Sequence, residues 1–211
     1  MITAPKDIFT EQTNIDVHTL RNLGPLTAMA GIWEGKRTLD IPPKPLAAPE
    51  RQEFIEHIEL QPIDPQSNGP QLLYGLRYHT HIVKPGEIET YHDQVGYWLW
   101  EPATGTLIET IAIPRGQTLM AMGRAAPDAT SFSLSAKRGE TTNGICSIPF
   151  LEEAFQTIEF HIDVQILSKD SWSYKEDAVL LVRGRTEPFH HTDRSELVKV
   201  GDPTPNPLAR G

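Results

Sequence analysis

The sequence predicts an all-β protein, an antiparallel up-and-down barrel of about ten strands. Ten runs alternate apolar and polar residues with period two, the signature of strands with one face in a core. Most of the links between them are short and built from Gly, Pro, Asn and Asp, as in Asn68-Gly69-Pro70, Pro85-Gly86, Pro114-Arg115-Gly116 and Lys169-Asp170. Strands joined in sequence by tight turns favour a meandering barrel over a βαβ fold.

The N-terminal stretch 14–29 reads as helical, with Asn14 as its N-cap and Leu20, Leu23 and Met29 on an apolar side. Gly24-Pro25 should divide it into two short pieces. Residues 1–30 are therefore expected to form a helical cap, 31–200 the barrel, and 201–211, rich in proline, an extended tail. The expected strands are 33–39, 52–60, 72–83, 89–101, 107–113, 118–124, 131–137, 157–167, 172–183 and 194–200. The clearest is 157–167, where Ile158, Phe160, Ile162, Val164 and Ile166 alternate with polar residues. One link is long: within 139–156, the run Pro149-Phe150-Leu151-Glu152-Glu153-Ala154-Phe155 reads as a short helix packing on a barrel end.

Composition bounds the function. A chain of 211 residues fits one domain and buries a core without cross-links. Acids outnumber bases 28 to 19, a net charge of −9, which argues against binding nucleic acid through phosphates. No run approaches the ~18 apolar residues of a membrane span. Cys146 is the only cysteine, and Met1–Asp7 lacks the features of a signal peptide, so the cytoplasm is the expected location.

Gly31-Ile32-Trp33-Glu34-Gly35 should turn the chain tightly into the first strand, with the Trp33 indole plugging the barrel floor. His79 and His81 share one strand face with Arg77. The opposite, more apolar face carries Tyr78 and Thr80, which are the expected pocket residues. In Gly96-Tyr97-Trp98-Leu99-Trp100, either alternate face can be the interior, and Tyr97 is taken as a pocket candidate. Arg115 is a candidate anion-binding group over a barrel mouth. Phosphate loops, serine nucleophile elbows and zinc-protease helices are absent from the sequence. His190 and His191 stand just before the last expected strand; being adjacent on extended chain, at most one faces the interior, to bind a ligand or hydrogen-bond the backbone.

Together, 26–35, 96–105, Ile113-Pro114-Arg115-Gly116 and the Phe189-His190-His191-Thr192-Asp193 segment resemble the nitrobindin-type haem-binding barrels, relatives in shape of the fatty-acid-binding proteins and lipocalins. The likeness spans roughly 26–200 and is strongest to a longer bacterial branch. It implies haem b, with His191 as the metal-ligating residue and His190 as its substitute. It also implies handling of nitric oxide or isomerisation of peroxynitrite. Arg115 replaces the threonine of that family's Pro-Thr-Gly turn. The alternative is a non-haem carrier of a small apolar or amphipathic molecule. In either case the expected partner is a small-molecule ligand, with a homodimer as the candidate assembly.

Overall fold

Alternation along the chain becomes a closed wall because each strand pairs antiparallel with the next. The computed structural model describes residues 7–43, with backbone alone for 36–38, and residues 52–205. Its strands are β1 (Gly31–Ile41), β2 (Gln52–Pro62), β3 (Gln66–Asn68), β4 (Gln71–Val83), β5 (Thr90–Glu101), β6 (Thr106–Ile113), β7 (Gln117–Arg124), β8 (Ser131–Lys137), β9 (Ile145–Ser147), β10 (Phe155–Ser168), β11 (Ser171–Val182) and β12 (Phe189–Gly201). Ten of them form the barrel in the order β1-β2-β4-β5-β6-β7-β8-β10-β11-β12, and β12 returns to β1. Closure removes the exposed edges that an open sheet would leave.

All ten expected strands are present, together with two short ones that the alternation does not predict. β3 forms a hairpin with β4. β9 occupies the β7 ladder at Gln117–Leu119, where β8, paired to β7 only at Met122 and Gly123, has splayed away. β9 then delivers the chain to α2 (Pro149–Ala154), the helix expected within the long link. A third difference matters more. β12 begins at Phe189 rather than at 194, so His190 and His191 lie within the strand, opposite Val179 and Ala178 of β11.

One barrel end is sealed. α1 (Thr19–Asn22) and a 3-10 turn (Gly24–Met29) bring Leu23, Leu26 and Met29 to complete burial. Asn14 is not the N-cap: it sits at φ +66°, and the helix starts at Thr19, with His18 in the cap position. Trp33 is fully buried beside this plug; its indole N–H donates to the Met29 carbonyl at 2.8 Å and its ring packs edge-on against Trp172. Gly24, at φ +55°, lies flat on the Trp100 indole, where a Cβ would approach Nε1 to 2.5 Å. Of the proline-rich tail, residues 202–205 are irregular and 206–211 lie outside the described residues.

Candidate functional site

The other end stays open above a cavity of about 510 Å³, within the range of small-molecule sites. Its mouth is framed by Pro42 and Pro43 after β1, by Tyr91 and His92 on β5, and by Arg115 in the β6–β7 turn. Phe150 and Leu151 of α2, Phe155 and His191 complete the frame. A larger concavity, about 1030 Å³, lies on the outer face of β8 and β10–β12 among side chains such as Ser133, Asp163, Lys175 and Arg194, outside the barrel.

Of the sequence candidates, Tyr78, Thr80, Arg115 and His191 all line the cavity. Two do not. Tyr97 is 46% exposed on the outer face, because the alternation places its neighbours Trp98 and Trp100 inside at 3% and 2%. His190 points outward and pairs with Asp177 at 2.8 Å. His79 and His81 also face outward, paired with Asp93 and Thr90.

At the mouth a short polar chain fixes His191. Its Nε2 lies 2.8 Å from Asp40 Oδ1, and Tyr91 donates its hydroxyl to Asp40 Oδ2 at 2.6 Å. Arg115 in turn donates to the Tyr91 carbonyl at 2.9 Å. Burial pulls the imidazole pKa down, but the Asp40 hydrogen bond and the charges of Asp193 and Asp40 outweigh it, leaving His191 above its ordinary value. Asp40, His191 and Asp193 present donor atoms within 4.8 Å of one another, a spacing that a divalent cation could bridge.

Sequence reasoning missed what lies below. Glu56 on β2, Glu109 on β6, Glu176 on β11 and Asp193 on β12 all face the cavity, making five carboxyl groups with Asp40. Asp193 sits directly opposite Asp40 on one side and Glu176 on the other, so three acids form one row across β1, β12 and β11. Glu56 and Glu109 are 1% and 2% exposed. Tyr174 donates to Glu56 Oε1 at 2.9 Å, and Gln94 donates to the Tyr78 hydroxyl at 2.7 Å. Yet Glu56 Oε2, Glu109 Oε2 and Asp193 Oδ1, all buried, make no hydrogen bond of ordinary length among the described residues, and neither does the Trp172 indole N–H, although Ser195, Tyr78 and Glu176 lie near enough to the three carboxyls to bear on their ionisation. Burial drives the Glu56 pKa up to about 7 and that of Glu109 up to about 8. Asp193 rises to about 6 for the same reason, partly offset by His191, and Glu176 is also raised, by burial and by the charges of its acidic neighbours.

The signal was present in the sequence: Glu56 interrupts the core face Phe54-Ile58-Leu60, Glu109 the face Leu107-Ile111-Ile113, and Glu176 the face Trp172-Tyr174-Ala178-Leu180. An acid on the apolar side of an alternating strand is a buried acid.

A closed up-and-down barrel with one plugged end and one polar, open mouth is the architecture of a small-molecule-binding protein. Residues 22–199 match the family described as THAP4-like, heme-binding beta-barrel domain, and the chain belongs to that family. A crystal structure of Rv2717c from M. tuberculosis is similar over 88% of this chain and 99% of its own, with a TM-score of 0.60 at 19% identity, a likeness of fold. No curated protein matches.

Haem is the group that the family's description names. An axial imidazole must be neutral, with its ligating nitrogen available. In His191 the Nε2 is engaged by a carboxylate that is itself 6% exposed, and that bond helps to raise the imidazole pKa above its ordinary value against the effect of burial. Below it Glu56, Glu109, Glu176 and Asp193 stand among apolar side chains such as Phe54, Ile58, Trp98, Ile111 and Trp172. With Asp40 holding Nε2, haem on His191 would have to be held through Nδ1, the carboxylate then fixing the other ring nitrogen.

Proposed function

We propose that this barrel is a carrier or sensor that encloses a small non-haem molecule in the cavity beneath His191. The observation that carries the reading is a cavity whose buried wall holds carboxylate oxygens and an indole N–H without partners, groups that cost free energy until something satisfies them. Phe150, Leu151 and Phe155 of the inserted segment add an apolar side to the polar mouth and supply the desolvating rim of such a site.

Haem b on His191 is the second reading. It is favoured by the family's description and by the place of His191 at the open mouth, near Arg115. It requires Asp40 to release Nε2 or the ring to bind through Nδ1, and any handling of nitric oxide or peroxynitrite would follow from the bound haem. Hemin titration of the purified protein separates the two. The carrier reading expects no stoichiometric Soret complex and an extractable small molecule. A one-to-one Soret complex that His191→Ala abolishes and His190→Ala retains overturns it.

A further inference from the structure

The interior is asymmetric in charge. Among the described residues that line the cavity, the basic side chains are Arg115, His92 and His191, all at the mouth, whereas Glu56 and Glu109 lie deeper, below 3% exposure. Their wall is also aromatic: Trp98, Trp172, Tyr78, Tyr174, Phe54 and Phe160 surround the same space. Two independent features therefore coincide, unpartnered carboxyl oxygens on β2 and β6 and aromatic faces around the same cavity, with the unpartnered Trp172 N–H as a third polar handle. A bare metal ion would use the carboxylates and leave both the aromatic walls and most of about 510 Å³ without a role. Anionic ligands would meet the carboxylates.

We propose that the cavity binds an organic cation, an alkyl- or arylammonium whose N–H groups pair with Glu56 Oε2 and Glu109 Oε2 and whose carbon frame packs on the aromatic wall. Cation–π attraction and charge-assisted hydrogen bonds act together in such a cage. The inference rests on the carrier reading and names its ligand class. It has a consequence for protons. Glu56 and Glu109 hold theirs near neutrality when the cavity is empty, so an incoming ammonium replaces a proton: the carboxyl O–H ionises, the proton leaves to solvent, and the carboxylate takes the N–H. The groups facing this pair are Tyr78 on β4, Tyr174 and Glu176 on β11, and Asp193 on β12; His92, Asp40, His191 and Arg115 stand nearer the mouth. As Glu56 and Glu109 ionise, affinity for the cation should climb as pH rises from about 5.5 to 8.

The probes are phenethylammonium, phenethyl alcohol and 3-phenylpropionate, followed by tryptophan fluorescence, since Trp98 and Trp172 line the cavity. Calorimetry in two buffers of different ionisation enthalpy counts the protons. The expected result is saturable binding of the amine, at least tenfold weaker binding of the alcohol, none of the acid, and net proton release that falls in Glu109→Gln. Glu56→Gln and Glu109→Gln should each weaken the amine tenfold or more, while the outward Glu196→Gln leaves it unchanged. Should either cavity variant fail to fold, the ranking of the three probes and the proton count on the unaltered protein still decide. Binding of the alcohol or acid at least as tight as the amine overturns this inference and leaves the carrier reading standing. No binding of any probe at millimolar concentration, together with a Soret complex dependent on His191, overturns both.

Discussion

Glu56 offers the sharpest test of how the interior is built. Its carboxyl is 1% exposed, accepts the Tyr174 hydroxyl, and is pushed by burial from 4.5 to about 7. A carboxyl whose folded pKa lies above its unfolded value keeps a proton in the native state that the unfolded chain has already lost. Its contribution is fully present below pH 4.5 and is lost as pH rises through about 7. At about 1.4 kcal/mol per pH unit, the rise is worth about 3 kcal/mol. Glu109 and Asp193 act with the same sign, as does His191, whose raised pKa makes its stabilisation fade as pH rises through the folded value. His92, lowered by burial, acts in the opposite sense and returns part of the loss as pH approaches its ordinary value of 6.5. The surface carboxylates Glu152 and Glu159, lowered by their partners Arg138 and His161, have their contribution in place above pH 4.5. Ligand-free protein, unfolded and refolded before measurement, should therefore lose stability from pH 5 to 8. Glu56→Gln keeps the acceptor for Tyr174 and removes the proton, so its profile should be flatter and its stability at pH 8 higher by up to about 3 kcal/mol. In urea that is a midpoint gap of about 1–2 M with unchanged slope. A wild-type midpoint that is level or rising over this range, or a variant profile parallel to it, refutes the reasoning.

Trp33→Ala removes a fully buried indole and its bond to Met29, and should cost about 3–5 kcal/mol in urea unfolding; an unchanged midpoint would mean the floor repacks without it. Gly96→Ala places a Cβ 1.7 Å from the Thr110 carbonyl, so β5 and β6 must separate, at about 1–3 kcal/mol; wild-type stability would contradict the packing. Asp40→Asn keeps a partner for His191 but removes its charge, so the imidazole pKa followed by NMR should fall; a constant value would show that Asp193 alone holds it up.

Strand existence was legible in the sequence because burial of one face imposes period two on each of ten runs, and this survives any detail of pairing. What was not legible followed from shorter range or from closure. β3 and β9 are three residues each, too short for a period to register. The start of β12 is hidden because His190-His191-Thr192-Asp193 is polar on both sides; it is a strand because β11 supplies the ladder, not because its own face is apolar. Tyr97 and Trp98 are both aromatic, so alternation named two faces without telling which was inner. The acids were overlooked for a different reason. Glu56 and Glu109 lie on strands separated in sequence, and only the closing of the barrel turns both into one cavity.

That convergence runs against stability at every step. Like groups directly opposite across a ladder are destabilising, yet Asp40, Asp193 and Glu176 occupy one row. Buried acids of this kind can be exchanged for apolar residues with no loss, and often a gain, in stability. Packing alone gives no reason for Glu56 and Glu109 to be acids, although Tyr174 needs an acceptor at position 56: the core-face neighbours Ile58, Leu60, Leu107 and Ile111 do the packing beside them. Tyr174 on β11 holds one oxygen of Glu56, while Glu56 Oε2 and Glu109 Oε2 are left without a partner among the described residues. A wall that is held still by one set of hydrogen bonds and left open for another is arranged for a visitor, because local violations of the rules of burial persist where function compensates them. Meanwhile Arg115 and the Asp40–His191 pair keep positive groups at the mouth and out of the depths. Charge thus sorts the cavity from rim to floor, and a cation with an apolar frame is the molecule that this order suits.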